Sequence, residues 1–399
     1  MRFSAKVKLI NLLWCLFLVT VALYSCASYW GLSWLPTEYA RVVSIVPKSI
    51  MSYAAITAFL LTSAFLTQMR RLRVRNKVVC LSGLLLLCLG ILWLIPVIFK
   101  GTSLLLISST PIMLIELAMI MVLVCNSDVA ELLRKACPFF ACGYTLLAII
   151  EATKFLISFP LMRMDNGPVI AYFANAWITV AVWWCNSFNQ PKKDFKIYIC
   201  CVLLLIVSII TTSRSWMIQA IVLLLGVFFM TTEKSTKRMI GHLILSGSFL
   251  AIVCWFLVNN MGGPIEYIIS RFSEDTRTKQ LNSFFDQVNI LNLLVGGGMD
   301  AKYIWRGRPY NYIDNQFLFW MFRYGILSLV GYWGPFVYAF VCKSKKETFD
   351  NLKPYYLILF MWILAMGGFC IYYGIFVDIG NIYIIFAVSE LIRRKKDLL

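Results

Sequence analysis

Long apolar stretches separated by short polar ones run through this chain from end to end. A helix crossing the hydrocarbon of a bilayer takes about 20 apolar residues, with roughly 17 to 25 tolerated. Twelve stretches meet that measure, at 9–30, 42–67, 78–99, 103–125, 136–159, 168–185, 197–212, 215–230, 240–258, 314–341, 355–372 and 375–392. The seventh and eighth are short and meet around 211–215, as the arms of a helical hairpin whose tip just reaches one surface. The opening MRFSAKVK with its apolar run has the look of a signal peptide, but no A-x-A-like cleavage site follows, so the run counts as the first helix. The expectation is an all-α, polytopic membrane protein of about twelve transmembrane helices, one integral membrane domain over 1–399.

Composition agrees. Hydrophobic residues make up 60% of the chain and the mean hydropathy is +0.78, against roughly half apolar in soluble domains. The formal net charge is +18, yet the cations sit in short runs between apolar segments rather than on one wettable face, which sets nucleic-acid binding aside. Lys and Arg collect in loops that stay in the cytoplasm. With the amino terminus inside, 24 of the 37 fall on the inner segments, and both termini are expected in the cytoplasm. The 13 cysteines lie almost all in apolar segments or on inner loops and read as small packing residues. No Cys/His spacing suggests zinc, and the only histidine, His242, stands alone, so no metal site and no cofactor are expected.

One segment stands apart. Residues 259–313, between the ninth and tenth helices, hold most of the polar sequence on the outer side and form one large periplasmic loop. Within it, 280–294 has Leu281, Phe284, Phe285, Val288 and Leu291 at helical spacing, an amphipathic stretch suited to an interface or to capping the bundle. Arg271, Arg277, Arg306 and Arg308 lie on the loop, and Arg214 lies at the hairpin tip. Guanidinium forks bind phosphate oxygens bidentately, so cations converging on the outer face would suit a pyrophosphate; contact with lipid headgroups is the competing reading. Asp314 opens the tenth helix, either as a helix cap or as a carboxylate able to take a proton from a hydroxyl. Arg323 and Asp378 are expected to line the same cavity. Tyr303, Trp305, Tyr310 and Tyr312 suit stacking on sugar rings or an interfacial aromatic belt. Glu151 and Lys154 are spaced to pair within the membrane, and Glu116 lies mid-helix.

Together these residues resemble a family. Thr211-Thr212-Ser213-Arg214-Ser215 before an apolar helix is similar to the Thr-x-Ser-Arg signature of the O-antigen polymerase and O-antigen ligase superfamily. Val295-Gly296-Gly297-Gly298, Asp314-Asn315-Gln316-Phe317-Leu318 and Tyr324-Gly325-Ile326-Leu327-Ser328-Leu329 follow in the order of that superfamily's Gly-rich turn, His/Asp-Asn and Gly-Ile-Leu-Gly-Leu patterns. The likeness covers roughly 200–340. Ligases carry a histidine where this chain has Asp314, which favours polymerase over ligase.

The resemblance implies a metal-independent, inverting glycosyltransferase at the periplasmic face of the bacterial inner membrane. It would polymerise undecaprenyl-pyrophosphate-linked repeat units into surface polysaccharide, with membrane lipid around it and a chain-length regulator protein as partner. Asp314 is then the base, with Arg214, Arg271 and Arg277 stabilising the departing pyrophosphate. Asn315, Arg306, Arg308, Tyr312 and Arg323 are expected to bind substrate. A ligase, or a flippase for the same lipid-linked glycan, is the alternative; against a flippase, no internal repeat relates residues 1–190 to 200–399.

Overall fold

A computed structural model describes residues 76–99, 111–158, 168–188, 191–211, 213–230, 276–298, 300–313, 315–342, 346–367 and 378–397, with Leu12, 247–248 and Ala251. Helix makes up 86% of these described residues, which are mostly helical. The helices are α1 (Lys77–Phe99), α2 (Pro111–Val124), α3 (Ser127–Ser158), α4 (Pro168–Ser187), α5 (Pro191–Ile210), α6 (Arg214–Met230), α7 (Thr276–Phe285), α8 (Ile290–Val295), α9 (Gln316–Tyr324), α10 (Ile326–Val341), α11 (Lys346–Met366) and α12 (Ile379–Asp397). A two-stranded antiparallel hairpin, β1 (Tyr303–Trp305) and β2 (Arg308–Tyr310), lies between α8 and α9.

Among the described residues three helical spans are long and apolar enough to cross a membrane: Lys77–Phe99, Val129–Thr153 and Val169–Ser187. The first is apolar on every side and leaves Leu81, Leu84, Leu92, Ile95 and Phe99 exposed, a surface suited to hydrocarbon rather than water. The third is 94% buried, as expected of a helix surrounded by others. The expected spans at 9–30, 42–67 and 240–258, together with His242, lie outside the described residues apart from Leu12, 247–248 and Ala251.

The chain divides into two compact units. One comprises Met1–Ala136, Gln280–Phe349 and Tyr373–Leu399. In it α1 and α2 run antiparallel at close range, because glycines on α1 face backbone on α2. A Cβ on Gly83 would lie 2.9 Å from the Ala118 carbonyl oxygen, and one on Gly90 would lie 3.0 Å from that of Pro111. Such small-residue seams substitute for the hydrophobic effect where the solvent is itself apolar. On another side of α1, Leu86 fills the space over Gly331 of α10. Tyr332 on α10 donates to Asn381 Oδ1 on α12 (3.0 Å), and Lys395 Nζ donates to the Ala339 and Cys342 carbonyls that end α10, a cation placed where the helix dipole is negative.

The second unit comprises Cys137–Lys279 and Asp350–Tyr372. Here α4 is the central helix. Trp177 donates through Nε1 to the Gln219 carbonyl of α6 (3.1 Å), and Phe173 stacks on Trp216 at 4.6 Å. Trp184 packs against Gly226, and Tyr355 of α11 donates to Asn186 Oδ1 (3.1 Å). The nine cysteines among the described residues are unbridged, and five of them are buried.

Two expectations need correction in detail. The stretch 314–341 is not one helix, because the chain breaks at Gly325, whose φ is +80°. The amphipathic stretch 280–294 is likewise divided between α7 and α8; Phe284 and Val288 are buried, whereas Phe285 is 54% and Leu291 64% exposed.

The Gly83 seam is testable. Gly83→Ala would push a methyl into the Ala118 carbonyl and is expected to cost about 1–3 kcal/mol, read as a lowered melting temperature in detergent. An unchanged melt would mean that α1 and α2 are not packed in this way.

Candidate functional site

The segment from α7 to α9 forms a small domain-like cap around one aromatic core. Phe284, Val288, Leu293, Tyr303, Ile313 and Phe322 are buried together. Phe284 meets the rings of Tyr303 and Phe322 edge-on, each at 5.2 Å, the geometry aromatic pairs prefer. Gln287 clamps the hairpin in both directions, accepting from Ile304 N (2.7 Å) and donating to Ile304 O (2.9 Å). Asn289 caps α8.

This cap is attached through the break at Gly325. The last turn of a helix leaves four carbonyls without helical partners, and here the final four of α9 are all taken. Gly325 N donates to Met321 O (2.9 Å), Gly297 N to Phe322 O (2.8 Å) and Gly298 N to Arg323 O (2.9 Å), while Trp93 Nε1 of α1 reaches Tyr324 O (3.3 Å). Only glycine permits the approach. A Cβ on Gly325 would lie 2.5 Å from Val295 O, and one on Gly296 would lie 2.6 Å from Gly325 N. Both residues have positive φ, which side chains other than glycine rarely adopt.

The attachment fixes one polar face of α9. Asn315 caps the helix, its side chain accepting from Leu318 N (3.1 Å). Gln316 is fully buried and donates to Tyr312 Oη (3.1 Å); its Oε1 has no hydrogen-bond partner among the described residues. Two turns further on, Arg323 is 3% exposed. It donates to the Asn311 carbonyl (3.1 Å), lies over the Phe319 ring at 5.4 Å and feels the field of the Asp300 carboxylate, while its Nε has no hydrogen-bond partner among the described residues. The backbone of 311–313 is thereby held along α9. Tyr303 Oη (2.9 Å) and Gln280 Nε2 (3.4 Å) both donate to Tyr312 O, and the Tyr312 ring sits against Phe319.

The sequence-predicted residues are therefore distributed as follows. Tyr312, Asn315 and Arg323 come together on the face just described, with Asp314 between the first two but itself outside the described residues. Arg306 and Arg308 are exposed on the hairpin, Arg306 at its turn with φ +50° and its guanidinium over the Trp305 ring. Arg277 lies in the first turn of α7 and Arg271 is outside the described residues. Arg214 begins α6 in the second unit, where the preceding turn is pinned by Ser213 N to Ser208 O (3.2 Å) and by the Phe173–Trp216 stack. Asp378 accepts from Asn381 N (2.7 Å) as the cap of α12. Glu116 and Glu151 are buried; the Lys154 side chain is outside the described residues.

Gln280 and Asn311 were not signalled by the sequence, and Gln316 was visible only as part of the Asp314-Asn315-Gln316 motif, with no role of its own. A polar residue of this kind looks like any other until its partners are known. No family model, curated protein or solved structure matches this chain.

Substituting the clasp tests the construction. Gly325→Ala combines left-handed strain with overlap of Val295 O and is expected to cost about 2–4 kcal/mol. Limited proteolysis within 276–313 should accelerate. Cleavage at the wild-type rate would show that the cap does not hang on this contact.

Proposed function

We propose that the chain is an O-antigen polymerase, a glycosyltransferase that joins undecaprenyl-pyrophosphate-linked repeat units at the periplasmic face of the bacterial inner membrane. On this reading about twelve helices cross the membrane, both termini are cytoplasmic and 259–313 faces the periplasm. The observation that carries it is the contact between two motifs separated in sequence: Val295–Gly298 is clasped to Tyr324–Gly325, and Asn315, the residue that follows Asp314 in the chain, caps the same helix that this clasp ends.

The chemistry follows from the residue types. A hydroxyl oxygen of the acceptor repeat attacks the anomeric carbon of the donor glycan from the face opposite the pyrophosphate. The new glycosidic bond forms as the bond to pyrophosphate breaks, and that electron pair leaves with the phosphate. Asp314 takes the hydroxyl proton. Arg214, Arg271 and Arg277 stabilise the charge gathering on pyrophosphate, the work a divalent ion performs in other transferases. Arg306, Arg308 and Tyr312 contact substrate, and Asn315 holds the helix start beside the base. Arg323, through the Asn311 carbonyl, positions the 311–314 turn. A chain-length regulator is the expected protein partner.

The test is the lipopolysaccharide ladder of a deletion strain complemented with the wild type, Arg214→Ala or Asp314→Ala, with membrane levels checked. Deletion should leave core bearing a single repeat unit, and neither variant should restore the ladder. Loss of one transition-state donor corresponds to about 10² to 10³ in rate. Naked core with repeats trapped on the lipid carrier would instead mean a ligase or a flippase.

A further inference from the structure

The short helix α8 turns most of its apolar side chains away from the protein. No charged residue lies between Asp286 and Asp300, and within that stretch Ile290, Leu291, Leu294 and Val295 are 72%, 64%, 42% and 70% exposed. At about 100° per residue these four share an arc of about 140°. Leu293, outside that arc, is buried in the aromatic core of the cap. One side of the helix thus fixes it to the cap, while the other presents a contiguous apolar surface of the kind that marks an interaction site.

Its neighbours show what covers that surface. α8 packs on α9 and α10, and its last carbonyls, Leu294 O and Val295 O, meet the backbone of Gly325 just where α10 begins. From there Ile326, Leu327, Val330, Val337 and Val341 are exposed, and helical spacing places all five within about 100° of one another. α8 therefore adds its apolar groups at the head of a stripe running the length of α10. That stripe lies beside α1, the span whose own leucines face outward and which is long and apolar enough to cross a membrane.

The same contacts fix the depth of α8. Gly298 lies against the Trp93 ring, where a Cβ would come within 3.0 Å, and Trp93 Nε1 donates to Tyr324 O. Beyond Trp93, α1 continues through 94–99, about 9 Å at 1.5 Å per residue, with Ile95, Ile98 and Phe99 exposed. Lys100 is the first charge after Lys77. The end of α8 thus stands beside the apolar body of α1 rather than beyond it. That offset matches the depth of roughly 5–10 Å to which interfacial helices sink at the headgroup boundary.

We propose that α8 is a membrane-interface anchor, with Ile290, Leu291, Leu294 and Val295 among the acyl chains of the outer leaflet. The occupant of this face is phospholipid. The anchor holds the cap at a set height, and with it the backbone of Asn311 and Tyr312 that Arg323 and Tyr303 fasten along α9. It stands whether or not the chain transfers sugars.

The experiment places the photoreactive residue p-benzoylphenylalanine at Leu291 or Val295 of the full chain, with Asp286, an exposed carboxylate at the end of α7, as the aqueous reference. Isolated membranes of the expressing cells are irradiated, and the purified product is resolved by gel and weighed by mass spectrometry. Both test positions exchange one exposed apolar group for another, and whichever keeps the melting temperature of the wild type carries the comparison. The expected result is a gain of one phospholipid mass at 291 and 295 and an unchanged mass at 286. A cross-link to a second copy or to another protein, a cross-link back into this chain, no lipid adduct, or equal lipid labelling at 286 each overturns the proposal.

Discussion

The carbonyls at the end of α9 are the constraint on which this structure turns. A helix that stops inside apolar surroundings must find donors for its last carbonyls, since water is not there to supply them. This chain supplies one from its own continuation at Gly325, two from the Gly-rich turn 25 residues earlier, at Gly297 and Gly298, and one from Trp93. The donors of that turn reach the helix only because no Cβ stands between the two backbones. Glycines 296 and 325 are thus a matched pair, and the aromatic core of the cap forms above the join.

From that join the consequences run in two directions. Toward α9, it sets where Arg323 and Gln316 fall, and those two hold the turn that contains Asn311 and Tyr312. Toward α1, it engages Trp93, and α1 in turn lies against α2 and α10 through Gly83, Gly90 and Gly331. The same helix begins at Asn76, in a polar cavity that Arg134 and Arg393 line beside Glu390. One rigid element therefore connects a glycine clasp at one end with a cluster of arginines at the other.

Much of the helical layout was legible in the sequence because hydrocarbon-length apolar runs leave little choice of structure. The boundaries of α1, α4 and α6 fall within two residues of the expected stretches. The division of 314–341 was not legible, since Gly325 inside an apolar run carries no sign of positive φ until its partner at 296 is known. The amphipathic spacing of 280–294 identified Phe284 and Val288 as core but also included Phe285, which ends α7 exposed beside the buried Phe284, and Leu291, which lies beyond the turn between α7 and α8 where the helical phase is reset. The arginines were visible as candidates, while the buried amides of Gln280 and Gln316 were not, as their meaning lies in partners distant along the chain.

The central claim is that this chain itself forms glycosidic bonds between lipid-linked repeats. Its most direct test is reconstitution of the purified protein in liposomes with undecaprenyl-pyrophosphate-linked repeat units and no other protein. The account predicts a ladder of longer lipid-linked glycans together with released undecaprenyl pyrophosphate. Repeats that stay single while crossing from one leaflet to the other would contradict it and make the protein a transporter.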